Sequence, residues 1–171
     1  MIGQVTDTVA NFLKDNESWA PAVVFALAFG ESFVFVSLLL PATAVLFAAG
    51  GLVGAADIAF WPIWTAAALG AVLGDWASYW LGYHYKEAIG RMWPLSRDPG
   101  LMRKGHALFT KWGVLGVFFG RFFGPLRSVM PLVAGICAMP QLIFQLANVA
   151  SALVWATGIL APGMFAFKWL W

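Results

Sequence analysis

Hydrophobic positions in this chain fall in long, nearly continuous runs rather than on the alternating faces of soluble helices, and proline and glycine cut the runs. Residues 19–56 form the first run. Pro41 divides it into 21–40, with Glu31 near the middle, and 42–56. The second piece would rise about 22 Å as a helix, short of a ~30 Å hydrocarbon core. Two arrangements suit it: a full span followed by a half-helix, or a re-entrant hairpin that dips in and returns. Residues 62–84 are unbroken and read as the clearest spanning helix. Ala66, Gly70, Gly74, Ser78 and Gly82 recur every four residues there, a small-residue stripe that permits close helix packing. Asp75 lies beside that stripe and is expected to face protein. Trp61, Trp64, Tyr79, Trp80 and Tyr83 stand near the two ends, where amphipathic rings prefer to sit.

Residues 85–111 are the one long polar stretch. They hold Lys86, Arg91, Arg97, Arg103, Lys104 and Lys111 against Glu87 and Asp98, a basic surplus that predicts a cytoplasmic loop. Leu101, Met102, Leu108, Phe109 and Trp112 can share a face, so part of the loop is expected to be a surface helix. The next run, 112–139, is broken at Gly124-Pro125 and again at Pro131. Its pieces, 112–123 and 126–139, would measure about 18 and 21 Å, so neither spans alone and a re-entrant hairpin fits best. Residues 142–165 form the last span, with Asn148, Ser151 and Trp155 on one face and Pro162-Gly163 ending it. Ahead of all this, 1–17 reads either as an amphipathic helix lying on the membrane or as a merely ordered terminus.

Composition agrees. The chain has 171 residues, 61% of them hydrophobic and 11% charged, which is the balance of an integral membrane protein. This length suits a single transmembrane domain over 1–171 with four to six membrane segments. A net charge of +2 is too small to suggest nucleic acid. Cys137 is the sole cysteine and reads as a small core residue. No basic segment precedes an apolar run, so no cleaved signal peptide is expected.

The charges inside the apolar runs change the picture most. From residue 112 to 167 the only charged side chains are Arg121 and Arg127, both within 120–135, GRFFGPLRSVMPLVAG. A charge at bilayer depth is costly and usually faces a bundle interior or a wet cavity. No acid follows Asp98, and no lysine or arginine lies between Lys14 and Lys86. The partners of Arg121 and Arg127 are therefore Glu31 or Asp75 across the molecule, polar backbone or water, or an anionic substrate; Asp57 is expected in a turn before Pro62. Two roles compete for these pairs, a clamp between halves and a functional site. His84 and His106 read as surface residues. With no metal-ligand cluster, no nucleophile set and no phosphate loop, neither an enzyme nor a metal or cofactor is expected.

The two halves follow one plan. Residues 19–84 and 112–165 each read as a broken, charge-bearing hairpin followed by an unbroken helix, with 85–111 between them. If each hairpin returns to its own side, the copies enter from opposite faces as an inverted repeat. The expected fold is all-α: two re-entrant hairpins, each followed by a transmembrane helix, plus interfacial helices.

The stretch 120–135 resembles the DedA family of bacterial membrane proteins, the group related to eukaryotic VTT-domain lipid scramblases. Gly120, Arg121, Phe122, Pro125, Arg127, Pro131 and Ala134-Gly135 match its G-R-F-x-x-P-x-R core with the following proline and A-G. Glu31 with Pro41, Gly74-Asp75 with Tyr79 and Gly82, and Asn148 with Trp155 extend the likeness. Family members often have Pro-Gly-Glu where this chain has Pro41-Ala42-Thr43, so a second acid of that hairpin is missing. The resemblance implies a bacterial inner-membrane protein that moves a polyprenyl phosphate or an anionic phospholipid between leaflets, with protons as a candidate coupling ion. In that reading Arg121 and Arg127 bind the lipid phosphate, and Glu31 and Asp75 orient them or exchange protons. Pro41, Gly120, Gly124, Pro125, Pro131, Gly135 and Asn148 shape the site. The alternative is a proton-coupled transporter of ions or small solutes. Glycine-rich faces and exposed aromatics are compatible with a homodimer.

Overall fold

A computed structural model describes residues 17–37, 59–86, 88, 99–124 and 126–170. The amphipathic stretch 1–16, Pro41 with the second leg of the first hairpin, Asp57 and Pro125 lie outside the described residues. What is described is helical, with no strand among the described residues. A single-turn helix Glu17–Trp19 leads into α1 (Ala20–Ser32) and the short α2 (Val34–Ser37); α3 is Phe60–Tyr85, α4 is Pro99–Trp112, α5 is Val114–Gly120, α6 is Leu126–Ile136 and α7 is Gln141–Leu170.

Local chemistry sets several of these boundaries. Pro21 sits in the first turn of α1, where its missing N–H costs nothing. α1 stops at Phe33, which is extended (φ −77°, ψ 121°), although neither glycine nor proline stands there. The stop is held from outside: the Val34 amide donates to Ser78 Oγ of α3 at 3.0 Å. Ser78 Oγ in turn donates to the Gly74 carbonyl at 3.0 Å. A side chain of one helix thus satisfies an orphan donor at the break in another. Gly113 separates α4 from α5 with φ +50°, a conformation suited to glycine. Ala138, at φ +54°, turns the chain after α6.

Two prolines act otherwise than the sequence predicts. Pro131 does not interrupt the backbone but lies inside α6, and Pro162 lies inside α7, which continues to Leu170 instead of ending at Pro162-Gly163. Each proline removes one helix hydrogen bond. For Pro131 the loss is offset by burial, since every residue from Ser128 to Gly135 is buried.

Contacts fix the helix directions. Gly70 packs on the backbone at Phe25 and Phe29, and Gly74 on that of Phe29 and Phe33, so α1 and α3 run the same way. Val117 clusters with Phe144 and Arg121 bonds Asn148, so α5 and α7 also run the same way. Trp64 Nε1 donates to Thr157 Oγ1 at 2.9 Å, while Asn148 Nδ2 donates to the Val72 carbonyl at 3.0 Å; α3 and α7 are therefore antiparallel. Gly116 and Gly120 both meet Met130, so α5 and α6 fold back on one another.

The small-residue stripe is buried throughout, but it serves two neighbours. Gly70 and Gly74 receive α1, whereas Gly82 receives the Leu132 carbonyl of α6. Gly135 of α6 reciprocates, lying against the Tyr79 carbonyl and the Tyr83 amide. The opposite face of α3 exposes Leu69, Leu73, Trp76, Trp80 and Tyr83, and α7 exposes Leu142, Leu146, Val149 and Leu153. Large apolar side chains thus face outward as well as inward, where a soluble bundle would be polar, and this suits hydrocarbon as solvent. Among the described residues, Gln141–Pro162 is the one stretch both long and apolar enough to cross by hydropathy. α3 has 26 residues, about 39 Å, and so has the length; Asp75 and its tryptophans lower its hydropathy.

Of the rings expected at interfaces, Trp61, Trp80 and Tyr83 are exposed. Tyr79 is not: it is buried, stacked on Phe144 with centroids 4.3 Å apart, and its hydroxyl donates to the Met139 carbonyl at 2.6 Å. Cys137 is also a correction, being exposed rather than in the core, with Sγ 3.8 Å from His106 Nδ1. It falls in the turn after α6, which the sequence pattern read as continuing helix.

Candidate functional site

Both arginines of the 120–135 stretch sit at the α5–α6 turn, and both reach carboxylates from the other end of the chain. Arg121 follows the last residue of α5 and is 5% exposed. Its Nη2 is paired with Asp75 Oδ2 and donates to Asn148 Oδ1 at 2.7 Å. Asn148 is oriented for this task, because its Nδ2 donates to the Val72 carbonyl at 3.0 Å and to Gln145 Oε1 at 3.3 Å. A guanidinium at the tip of one hairpin therefore ties α3 to α7.

Arg127 lies in the first turn of α6. Its Nη2 is 2.5 Å from Glu31 Oε1 and donates to the Glu31 backbone carbonyl at 2.9 Å. That carbonyl accepts because α1 ends at Ser32, so the last carbonyls of the helix lack intrahelical partners. The same guanidinium lies 5.6 Å from the centroid of the Trp155 ring, within cation–π range. The two pairs differ in access. The Arg121 and Asp75 side chains are 5% and 6% exposed. Arg127 keeps 11% exposure against 2% for Glu31. Both members of the first pair are buried; in the second, Glu31 is buried and Arg127 partly so.

Among the described residues each pair sets one positive against one negative charge. Buried pairs contribute little net stability, because desolvation offsets their attraction, but removing one partner strands the other.

The residues expected to shape the site are placed as follows. Gly120 gives room to Met130, and Gly135 lets α6 touch α3. Gly124 has φ +34° and open space around it, so its freedom of backbone is what the turn uses. Pro131 is buried in α6, and Asn148 joins the Arg121 cluster. The side-chain pattern had placed Trp155 on the Asn148 face without linking it to Arg127. The sequence pattern marks Ser78 only as small and gives no role to Gln145, three residues before Asn148. That spacing was the signal for Gln145; nothing local marks Ser78 as a cap.

Comparison with known proteins follows the same outline. Residues 40–165 match the VTT domain family. The inner membrane protein YabI of Escherichia coli (strain K12) is 30% identical over 174 residues, covering 94% of this chain and 68% of its own length. A membrane protein of Mycobacterium tuberculosis is 37% identical over 141 residues, 77% of this chain and 65% of its own length. The inner membrane protein YghB of E. coli is 30% identical over 145 residues. This chain thus spans about two thirds of the length of these relatives. No solved structure matches it. An apolar exterior, an interior of paired charges and a family match across most of the chain lead to one assignment: the chain belongs to the VTT-domain (DedA) family and is a bacterial inner-membrane protein.

Proposed function

We propose that the protein moves a phosphate-bearing lipid, an anionic phospholipid or a polyprenyl phosphate, from one leaflet to the other. The observation that carries this reading is the placement of Arg127, a partly buried guanidinium held beside Glu31 and the Trp155 ring. A lipid phosphate crossing hydrocarbon needs a cationic partner there, because an unpaired anion is costly. The planar fork of arginine suits two phosphate oxygens at once.

The residues divide the work. Arg121, closed in by Asp75 and Asn148, holds the hairpin tip in register. Arg127 exchanges Glu31 for the phosphate. Glu31, left without its cation in a buried place, takes up a proton, so the site gains no net charge when the anion arrives. Loss of that proton restores the Glu31–Arg127 pair and frees the lipid, which couples movement to protons. The matched helix directions, α1 with α3 and α5 with α7, support an inverted repeat whose hairpins re-enter the bilayer from opposite faces. The basic surplus of 85–111 sets that loop in the cytoplasm.

Purified protein in liposomes with headgroup-labelled anionic lipid tests this. Leaflet exchange is expected to exceed that of empty liposomes by about tenfold or more, the consequence of lowering the barrier by ~1.4 kcal/mol. Exchange equal to empty liposomes, together with proton-driven uptake of a small solute, would instead establish the solute transporter.

A further inference from the structure

Two grooves flank a ridge made by Trp76 and Trp80 on the outer face of α3. One, of about 390 Å³, lies between the end of α3 and the turn before α7, where Tyr83, His84, Met139 and Gln141 line it. The other, of about 340 Å³, is walled by Phe29, Phe33 and Leu81 and is apolar. Trp76 and Trp80 line both. From Trp76 to His84 is eight residues, about 12 Å along the helix. Both grooves run beside Trp76 and Trp80, and the polar one extends to His84 at the helix end that leads into the loop 85–111.

The polar end carries one described cation, Lys86. Lys86 Nζ sits over the Tyr83 ring, 4.7 Å from its centroid. Glu31 and Asp75, the carboxylates of α1 and α3, are both committed to arginines. The His84 ring lies tilted against Trp80 with centroids 4.3 Å apart, and its Nδ1 donates to the Trp80 carbonyl at 2.9 Å. With Nδ1 committed to that carbonyl, Nε2 is the ring atom left to meet a headgroup. A cation and a polar rim at the helix end, with an apolar groove beside them, have the order of groups of a phospholipid: phosphate, glycerol, acyl chain.

We infer that this paired groove is a docking site for one anionic phospholipid of the leaflet that meets the loop 85–111, its phosphate on Lys86 and one acyl chain past the Trp76–Trp80 ridge. The site stands apart from the arginine pairs and does not require that lipid cross the bilayer. A lipid can dock here and stay, so failure of either claim leaves the other standing.

Native mass spectrometry of the detergent-purified chain, titrated with phosphatidylglycerol or with diacylglycerol of the same acyl chains, is the test. One phosphatidylglycerol is expected to bind about tenfold or more tightly than diacylglycerol. Lys86→Gln should remove that preference and leave diacylglycerol binding unchanged, while Trp80→Ala should weaken both ligands. Lys86 and Trp80 are exposed, so neither change touches the core. Equal affinity for the two ligands in the wild type, or an undiminished preference in Lys86→Gln, overturns the site.

Discussion

Asp75→Ala lowers the stability of the detergent-solubilised protein by about 3–5 kcal/mol, the cost of stranding a buried cation. Arg121 is 5% exposed and cannot turn to water. Asn148 would remain its neutral acceptor, and a carbonyl oxygen does not neutralise a guanidinium. Asp75→Asn is expected to cost less, because it keeps the acceptor and loses only the charge. The double replacement Asp75→Leu with Arg121→Met should recover much of the loss, since an apolar pair of similar volume avoids the desolvation penalty altogether. Unfolding midpoints of the three variants against the wild type check this. An unchanged midpoint for Asp75→Ala would mean that Arg121 is neutralised in some other way.

Gly135→Leu acts on backbone instead. A Cβ at residue 135 would fall on the Tyr79 carbonyl and the Tyr83 amide, atoms that no side-chain rotation can move. α6 must then part from α3, at a cost of about 3 kcal/mol or more, the upper end of overpacking. Separation also carries Arg127, on the first turn of α6, away from Glu31, so the variant should lose the site along with stability. Gly158→Ala is the matched control: nothing lies within 4 Å of its added Cβ. In the middle of α7 it should be neutral or stabilise by up to about 1 kcal/mol. If Gly135→Leu unfolds at the same midpoint as this control, the α3–α6 contact does not hold the fold together.

The arginine–acid pairing was legible because the charges are so few. With two cations in one half and few acids in the other, neutrality leaves little choice of partner. Which arginine meets which acid was not legible, because it depends on the turn after α5 and on where α1 stops. That stop, at Phe33, is held by a tertiary hydrogen bond from Ser78 and has no glycine or proline to announce it. Pro131 and Pro162 misled in the other direction. Proline is a strong local signal, but packing around a helix can offset one missing hydrogen bond. Small-residue spacing gave the packing face of α3 but not that two different helices share it. The exposed Cys137 and the buried Tyr79 follow from a turn at 137–140 that residue types alone do not mark.

The central claim is that Arg127 carries the lipid phosphate, and exchange measured in parallel on wild-type, Arg127→Lys and Arg127→Ala proteoliposomes tests it most directly. Losing a charge-assisted contact worth about 1.5–3 kcal/mol should slow exchange in Arg127→Ala by roughly 10- to 100-fold. Arg127→Lys, which keeps the charge without the fork, should fall between. An Arg127→Ala protein that remains folded and exchanges lipid at the wild-type rate would contradict the account.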